Sequence, residues 1–458
     1  MKSIVIAAPL SGSGKTTVTI GLMECLRRRG LKVAPFKVGP DFIDPGYHRL
    51  VTGRPSLNLD SWICTPDTVQ EMFTEFSRGS DIAVIEGVMG LFDGINGRSE
   101  EGSTAQIAKL TRSTVFLVVD AKGYARSVAA LLAGFMEFDP ELRIGGVIFN
   151  NVASENHARV LREAVETNLP SLHVLGCIPR DRFLNLPSRH LGLLTAEDAD
   201  LSEEFLDRLV EVIRKSVDLG FLWASASAGE IVDLPPRAPA PPQSVRIAVA
   251  RDAAFCFLYE YNLRLLTEAG AELVEFSPLA DSTLPEGISG IYLPGGYPEL
   301  HAKTLAANAP MLAAVRDAVE DGMPVYAECG GFIYLTMGVF DDIGDVESLN
   351  RFAGIFPVTT CLLEKRKALG YREVSLRGAC ILGPEGAVAR GHEFHYSEMT
   401  EMPADFERLY QVRKGSSDLG TEGYRYKNCL ASYIHLHFGS NPGMAAALVA
   451  SCEHYTNG

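Results

Sequence analysis

One stretch near the start of the chain decides the fold of its first half: Ala8-Pro9-Leu10-Ser11-Gly12-Ser13-Gly14-Lys15-Thr16-Thr17. It lies between a run that predicts a β-strand and a run that predicts a helix, which is the setting of a phosphate-binding loop. Glycines let backbone N–H groups turn toward phosphate oxygens, lysine adds positive charge, and a threonine hydroxyl suits Mg²⁺. The candidate phosphate-binding residues are Gly12, Ser13, Gly14, Lys15, Thr16 and Thr17.

The loop departs from the usual motif at Pro9, where such loops normally carry their first glycine. A glycine-rich turn with a surface lysine is the alternative, and the flanking strand and helix argue against it. The helix that follows is expected to end in a basic last turn and to stop at Gly30. Its apolar face is predicted to consist of Val18, Leu22, Cys25 and Leu26.

Short apolar runs that end in polar or turn-forming residues recur through the first half and predict buried parallel strands. They are Ser3–Ala8, Ile82–Glu86, Val115–Asp120, Gly145–Asn150 and His173–Pro179. Because these strands alternate with helical patterns, we predict an α/β domain built on a parallel sheet. Residues 1–223 are assigned to this P-loop NTPase-like domain.

Polar residues follow several of these strands, at the edge where the carboxyl ends of parallel strands meet. Glu86 ends a strand beside the phosphate loop, where an acid that holds Mg²⁺ is expected. Asp41 and Asp44 lie in a turn rich in glycine and proline, so plain turn chemistry is the alternative. Asp93 lies in a glycine-flanked loop, and Asn150 either contacts the nucleotide base or merely ends a strand. The predicted metal ligands are Thr16, Asp41 and Glu86, and the predicted substrate contacts are Asp41, Asp44 and Asp93.

A second site is predicted at Cys329, which follows an apolar strand and precedes two glycines. Small neighbours permit the sharp turn of a nucleophile elbow, which exposes the sulfur. A thiol with an ordinary pKa near 8.5 is mostly protonated at neutral pH, so it needs a base, and the run Ala431–Phe438 supplies a histidine at a strand end. The N–H groups of Gly296 and Gly330 are candidates for an oxyanion hole. A buried structural cysteine is the alternative, and we assign that role to the other cysteines.

Composition changes sharply at residues 224–244, which are rich in alanine and proline. Proline at that density continues neither a helix nor a central strand, so we predict a semi-rigid linker. The pattern resumes with a strand at Arg246–Arg251, a helix over Phe257–Ala269 and strands near Glu272–Phe276 and Gly290–Leu293. Residues 245–458 are assigned to a second α/β domain.

Bulk properties exclude several classes of protein. The net charge of −15 argues against nucleic acid as a partner. No apolar run reaches the roughly 20 residues that span a bilayer, and the first eight residues predict a strand rather than a signal peptide. Nine cysteines without a Cys-x-x-Cys pair favour a reducing compartment, so we expect a cytoplasmic protein.

Together these motifs resemble the cobyrinic acid a,c-diamide synthase family over roughly residues 1–200 and 245–450. The most specific segments are Phe36–His48, Val84–Gly94, Leu293–Glu299 and Tyr433–Phe438. The resemblance implies an ATP-binding domain related to dethiobiotin synthetase, fused to a class I glutamine amidotransferase domain. It also implies ATP with Mg²⁺, L-glutamine and cobyrinic acid as reactants, Cys329 as the nucleophile, and His435 as its partner.

Two local departures refine the resemblance. Ordinary class I amidotransferases carry an acidic residue two places after the histidine, whereas this chain has His437, so what orients His435 is left open between Tyr433 and a backbone carbonyl. The sister family that makes four amides has a Pro-Gln-Asn pattern where this chain has Val38-Gly39-Pro40-Asp41. That difference favours amidation of the a and c acetates.

The resemblance implies a mechanism in which ATP converts the substrate carboxylate to an acyl phosphate, which ammonia from glutamine then attacks. Ammonia should travel through an internal passage, because protonation in bulk water would stop it from acting as a nucleophile. Hydrogenobyrinic acid and nickel sirohydrochlorin are alternative substrates that the motifs do not separate. A nucleotide-dependent switch with a degenerate amidotransferase half is a more remote alternative, and assembly as a homodimer is left open.

Overall fold

The computed structural model describes residues 1–184, 201–228, 242–341, 346–363, 365 and 367–457. These residues form two compact units, the first containing 1–184 and 201–228, the second containing the described residues from 242 onward. No helix in these ranges is both long and apolar enough to cross a membrane.

The first unit is built on a sheet whose strand order is β3-β2-β4-β1-β5-β6-β7, with every neighbouring pair parallel. A short strand, β8, adds antiparallel to the start of β1. The strands are β1 Lys2–Ala7, β2 Val33–Val38, β3 Leu57–Leu59, β4 Ile82–Glu86, β5 Thr114–Asp120, β6 Ile144–Val152, β7 His173–Pro179 and β8 Ser227–Ala228. All five predicted strands are confirmed, and the parallel sheet brings the carboxyl ends of β1, β2 and β4 side by side.

Helices connect these strands, as parallel pairing requires. They are α1 Lys15–Arg28, α2 Ile43–Thr52, α3 Pro66–Phe76, α4 Thr104–Leu110, α5 Ser127–Phe138, α6 Glu155–Asn168, α7 Glu203–Ser216 and α8 Leu219–Ser225. The four residues predicted to form the apolar face of α1 are buried, and α1 ends with two arginines in its last turn. Gly30 follows with φ 81°, a conformation that favours glycine and ends the helix as predicted.

The start of the predicted linker belongs to the first unit. Ser227 and Ala228 pair with β1 as β8, and the Ser227 and Thr114 hydroxyls lie 2.8 Å apart within hydrogen-bond distance. The first unit therefore extends at least to Ala228, beyond the predicted boundary at 223. Residues 229–241, the proline-rich part of the predicted linker, lie outside the described residues.

Among its described residues, the second unit contains two sheets and five α-helices. Its strands are β9 Val245–Ala250, β10 Ala271–Phe276, β11 Gly290–Leu293, β12 Val325–Glu328, β13 Thr336–Phe340, β14 Leu349–Arg351, β15 Phe356–Leu362, β16 Ala368–Leu376, β17 Val388–His395, β18 Ser397–Met399, β19 Glu407–Lys414, β20 Ser417–Tyr426, β21 Cys429–Ser432 and β22 Ile434–Leu436. Its helices are α9 Glu260–Glu268, α10 Ala302–Ala307, α11 Ala309–Glu320, α12 Gly330–Leu335 and α13 Gly443–Asn457. The helix predicted from Phe257 begins only at Glu260, because Phe257 forms an antiparallel β-bridge with Gly295 instead.

The large sheet of this unit has the order β10-β9-β11-β12-β21-β20-β19-β16-β17-β22. Its first five strands are parallel and its remaining pairs are antiparallel. Only Tyr433 separates β21 from β22, yet β21 pairs with β12 while β22 pairs with β17. The antiparallel half must therefore curl back toward β12, which brings β17 and β22 close to the Cys329 turn.

Candidate functional site

The phosphate loop joins β1 to α1 and takes its shape from two glycines. Gly12 and Gly14 have φ 80° and 89°, and Gly14 precedes the first residue of α1 without a side chain that caps the helix. The Asn150 amide donates to the Ser13 carbonyl over 3.0 Å, and a Cβ on Gly14 would lie 2.2 Å from that amide nitrogen. An uncapped helix start and a closely held loop are features that anion-binding turns share.

Lys15 is the first residue of α1 and is largely buried against the loop that follows β4. Its ammonium donates to the Met89 carbonyl over 2.6 Å and lies 3.5 Å from the Leu10 carbonyl. Met89 itself has φ 48°, a strained value for a residue other than glycine. Burial and the nearby charge of Lys37 lower the pKa of Lys15 to about 8. An anionic phosphate would favour the charged form of this lysine.

Carboxylates from two elements meet beside the loop. The Thr16 hydroxyl donates to Glu86 Oε1 over 2.7 Å and lies 3.4 Å from Asp44 Oδ2. The other Glu86 oxygen is 2.8 Å from His48 Nε2, and both of these side chains are fully buried. Three predicted site residues are thus brought together, and His48 joins them although the sequence pattern gave it no role.

Lys37 lies between the two carboxylates and was also missed. Its ammonium is 2.5 Å from Asp44 Oδ2 and 3.1 Å from Glu86 Oε1. Burial opposes its charge, but the two carboxylates outweigh burial and raise the pKa of Lys37 above its ordinary value. The available signal was a single lysine inside β2, whose other residues are apolar and which is buried throughout.

Two other predicted residues of this unit, Asp41 and Asp93, contact residues that are close to them in the sequence. One oxygen of Asp41 accepts from the Ile43 and Asp44 N–H groups at the start of α2, and the other is 4.0 Å from Lys37 Nζ. Asp93 accepts from the Gly90 N–H over 2.8 Å in the loop after β4. Thr17 lines a cavity of about 120 Å³ beside the phosphate loop, together with Gly12, Gly14 and Asn150.

The Cys329 site lies at the turn between β12 and α12. Cys329 has φ 45° and ψ −101°, so a residue with a side chain occupies a strained left-handed conformation, as an elbow requires. Its N–H donates to the Ser432 carbonyl over 2.7 Å, and its thiol lies 3.7 Å from the Phe394 carbonyl of β17. Burial, followed by the nearby Glu299 carboxylate, raises the pKa of the thiol well above its ordinary value.

Glycines close the space around the elbow. A Cβ on Gly330 would lie 2.8 Å from the Gly296 nitrogen, so the two predicted oxyanion-hole residues are adjacent. A Cβ on Gly295 would lie 2.1 Å from Cε1 of His435, because the imidazole packs directly on that glycine. Gly295 and Gly296 thus link the histidine to the cysteine turn.

His435 lies in the middle of β22, opposite His392 of β17. It is 1% exposed, and burial together with His392 and His395 lowers its pKa to about 3, so the ring is neutral near pH 7. Its Nδ1 is 3.8 Å from Oε2 of Glu328, the residue that precedes the cysteine. Tyr433, one of the groups considered for orienting this histidine, stacks on His395 with ring centroids 4.0 Å apart.

His437 occupies the position where class I amidotransferases carry an acidic residue. Its Nδ1 accepts from the Gly439 N–H over 3.0 Å, and its ring packs on Tyr259 with centroids 4.6 Å apart. The role of this side chain is therefore to hold the turn after β22. A carboxylate near His435 is instead supplied by Glu328, from a different strand.

Two family models match this chain, one over the part that contains the phosphate loop and one over the part that contains Cys329. The CobQ/CobB/MinD/ParA nucleotide binding domain matches residues 4–194, and the CobB/CobQ-like glutamine amidotransferase domain matches residues 246–443. These matches agree with the predicted fold classes of both halves.

Relatives with assigned names match along the whole chain. The cobyrinate a,c-diamide synthase of Syntrophotalea carbinolica is 44% identical over 98% of this chain and 98% of that protein. The proteins of the same name from Priestia megaterium and Listeria monocytogenes are 42% and 41% identical over 99% of this chain, and the matches cover 97% and 100% of those proteins.

Proposed function

We propose that this chain, which belongs to the cobyrinate a,c-diamide synthase family, amidates the a and c acetate carboxylates of cobyrinic acid, with ATP as activator and glutamine as the source of ammonia. One observation carries the proposal. The same chain contains a cationic phosphate loop with a carboxylate cluster and a strained cysteine turn with a buried neutral histidine. A reaction that couples phosphoryl transfer to amide transfer uses both.

The first unit would activate the substrate. A carboxylate cannot expel oxide, so its oxygen attacks the γ-phosphorus of ATP, ADP leaves, and an acyl phosphate forms. Lys15 and the N–H groups at the start of α1 would hold the phosphates and neutralise charge that develops on them. Lys37 is close enough to the same cluster to share that work, while Glu86 and Asp44 keep its ammonium in place.

The donor set near Thr16 fits Mg²⁺. Thr16, Asp44 and Glu86 supply oxygen ligands, which this hard cation prefers. Among the described residues no group of three His, Cys, Asp or Glu side chains is arranged to hold a metal, so ATP phosphates would complete the shell. The ion would supply neutralisation of the phosphate charge. The carboxylate of Asp41 bonds to the start of α2 and faces Lys37. Asp41 therefore remains a predicted ligand that these contacts do not test.

The second unit would produce ammonia. His435, neutral near pH 7, takes the proton of the Cys329 thiol as the sulfur attacks the side-chain carbonyl of glutamine. The N–H groups of Gly296 and Gly330 would stabilise the oxyanion. The protonated histidine then gives its proton to the departing ammonia, and water hydrolyses the thioester to glutamate. An internal passage for ammonia to the acyl phosphate is part of the proposal.

Substrate identity is the finer part of the proposal. Hydrogenobyrinic acid and nickel sirohydrochlorin present similar acetate groups, and the names of the relatives favour cobyrinic acid. The nine cysteines, which include no Cys-x-x-Cys pair, support the proposed cytoplasmic location.

The test is incubation of the full chain with Mg-ATP, glutamine and cobyrinic acid, with the corrin followed by mass spectrometry. We expect two carboxylate-to-amide exchanges, with glutamate and ADP released. Release of glutamate without modification of the corrin would indicate that the substrate is nickel sirohydrochlorin or the metal-free hydrogenobyrinic acid. Absence of glutamate under all conditions would contradict it and favour a nucleotide-dependent switch.

A further inference from the structure

Glu328 is a buried acidic residue of the cysteine site to which the sequence motifs assign no role. It is the last residue of β12, directly before Cys329, and it is 1% exposed. A carboxylate in such a place carries a large desolvation cost unless its oxygens are bonded. Burial raises the pKa of Glu328 to about 7 in spite of its hydrogen bonds.

Three donors surround this carboxylate. The hydroxyl groups of Tyr292 and Tyr326 donate to it over 2.9 and 2.5 Å, and the Leu436 N–H donates over 2.9 Å. Because an ionised carboxylate only accepts hydrogen bonds, this set of partners matches the anion. The Leu436 contact also ties β12 to β22, so the carboxylate is anchored on the strand that carries the histidine.

The fourth neighbour of the carboxylate is His435, whose Nδ1 lies 3.8 Å from Glu328 Oε2. That separation is longer than a hydrogen bond. Catalytic hydrogen bonds are often long without substrate and tighten in the complex.

We propose that Glu328 is the positioning residue for His435: its carboxylate accepts from Nδ1–H, which directs Nε2 toward the Cys329 thiol and stabilises the imidazolium once the proton has moved. This role rests on the glutaminase chemistry proposed for the second unit. It replaces the acidic residue expected two places after the histidine, where this chain has His437.

The physical need for such a group follows from burial. His435 must become positively charged during each turnover, and a buried imidazolium without a nearby anion is strongly disfavoured. Since Glu328 and Cys329 are consecutive residues of one elbow, a single strand end places both the nucleophile and the carboxylate relative to the histidine. That geometry lets the site work without an acid on the histidine's own loop.

The test compares Glu328→Gln with Glu422→Gln in the full chain, with glutamate release measured at varied glutamine. Glu422 is the matched control, because its carboxylate also bonds to the chain just before β22, at the Ser432 hydroxyl and the Tyr433 N–H. We expect Glu328→Gln to lower kcat about 100-fold with KM for glutamine nearly unchanged. Glu422→Gln should keep kcat within about threefold of the wild type, because its effect should be on stability.

A second variant with a shorter acid, Glu328→Asp, keeps the test valid if Glu328→Gln does not fold. Glu328→Asp keeps the charge but withdraws it from Nδ1, and we expect about a tenfold loss of kcat with KM unchanged. Retention of wild-type kcat in Glu328→Gln, or in Glu328→Asp if the amide variant does not fold, would overturn the role of Glu328. Absence of glutamate release from the wild type would instead refute the glutaminase activity itself, so the two failures are distinguishable.

Discussion

The phosphate loop and the cysteine turn solve the same geometric problem in opposite ways. Each follows a parallel strand and opens a helix, so each presents backbone N–H groups at the carboxyl edge of a sheet. The first achieves its turn with a glycine at φ 89°, whereas the second holds Cys329 itself at φ 45°. The phosphate loop can use glycine because its backbone does the binding, while the elbow must keep a side chain at the strained position.

The phosphate loop and the cysteine turn also differ in the charge of the groups around them. Around the loop, Lys37 is paired with Asp44 and Glu86, so charges are retained by mutual compensation. Around the elbow, burial keeps the thiol protonated and His435 neutral. A site that binds a polyanion needs permanent charge, whereas a site that moves a proton needs groups that can change charge. Variants that affect one site and spare the other test this division.

The largest effect should come from Cys329→Ser. We expect glutamine-driven amidation to fall at least about 1,000-fold, because the hydroxyl is a far weaker nucleophile than the thiolate, while ammonia-driven amidation is kept. Both rates are measured by product mass spectrometry. Cys361→Ser is the control, since that thiol also lies 3.7 Å from a backbone carbonyl and belongs to no site. Equal loss of the glutamine-driven and ammonia-driven rates in Cys329→Ser would contradict the assignment of ammonia production to the second unit alone.

Removal of the loop ammonium should give the next largest effect. Lys15→Ala should lower amidation by about 100- to 1,000-fold with either glutamine or ammonia, because phosphate charge loses its neutralising partner. Glutamate release measured without ATP should stay unchanged. The exposed Lys122 provides the control variant Lys122→Ala, which should retain all rates. Wild-type amidation in Lys15→Ala would contradict the assignment of the loop.

A single methyl group tests how tightly the histidine is held. Gly295→Ala would place Cβ 2.1 Å from His435 Cε1, so the imidazole must move. We expect about a 100-fold loss of glutamine-driven rate, with the ammonia-driven rate intact. Gly378→Ala, whose Cβ would make an ordinary 3.4 Å contact, should change neither rate. An active Gly295→Ala enzyme would mean that the ring position is not critical.

The smallest effect should come from Ser103, the N-cap residue just before α4. Its hydroxyl accepts from the Gln106 N–H at the start of α4, so Ser103→Ala should cost about 1 kcal/mol of unfolding free energy and leave KM for ATP unchanged. Denaturant titration and ATP kinetics measure the two quantities. Ser154→Ala removes the matching cap of α6, which lies elsewhere in the unit. A raised KM without a loss of stability would favour a nucleotide contact instead.

The phosphate loop, the five predicted strands of the first unit and the cysteine elbow were readable from the sequence, because each depends on a short run of neighbouring residues. A glycine-rich turn after an apolar strand has the same meaning wherever it occurs. Local patterns also identified Thr16, Asp44 and Glu86, which the structure brings together.

What surrounds these residues was decided by tertiary structure. Lys37 and His48 reach Glu86 only because β2, β4 and α2 meet at one sheet edge. Glu328 approaches His435 only because the large sheet of the second unit curls back, so that β21 pairs with β12 while β22 pairs with β17. Strand pairing between residues about a hundred positions apart leaves no periodic signal in either segment. The sequence by itself therefore determined which groups could react, and the packing of distant strands decided which groups orient them and hold their charge.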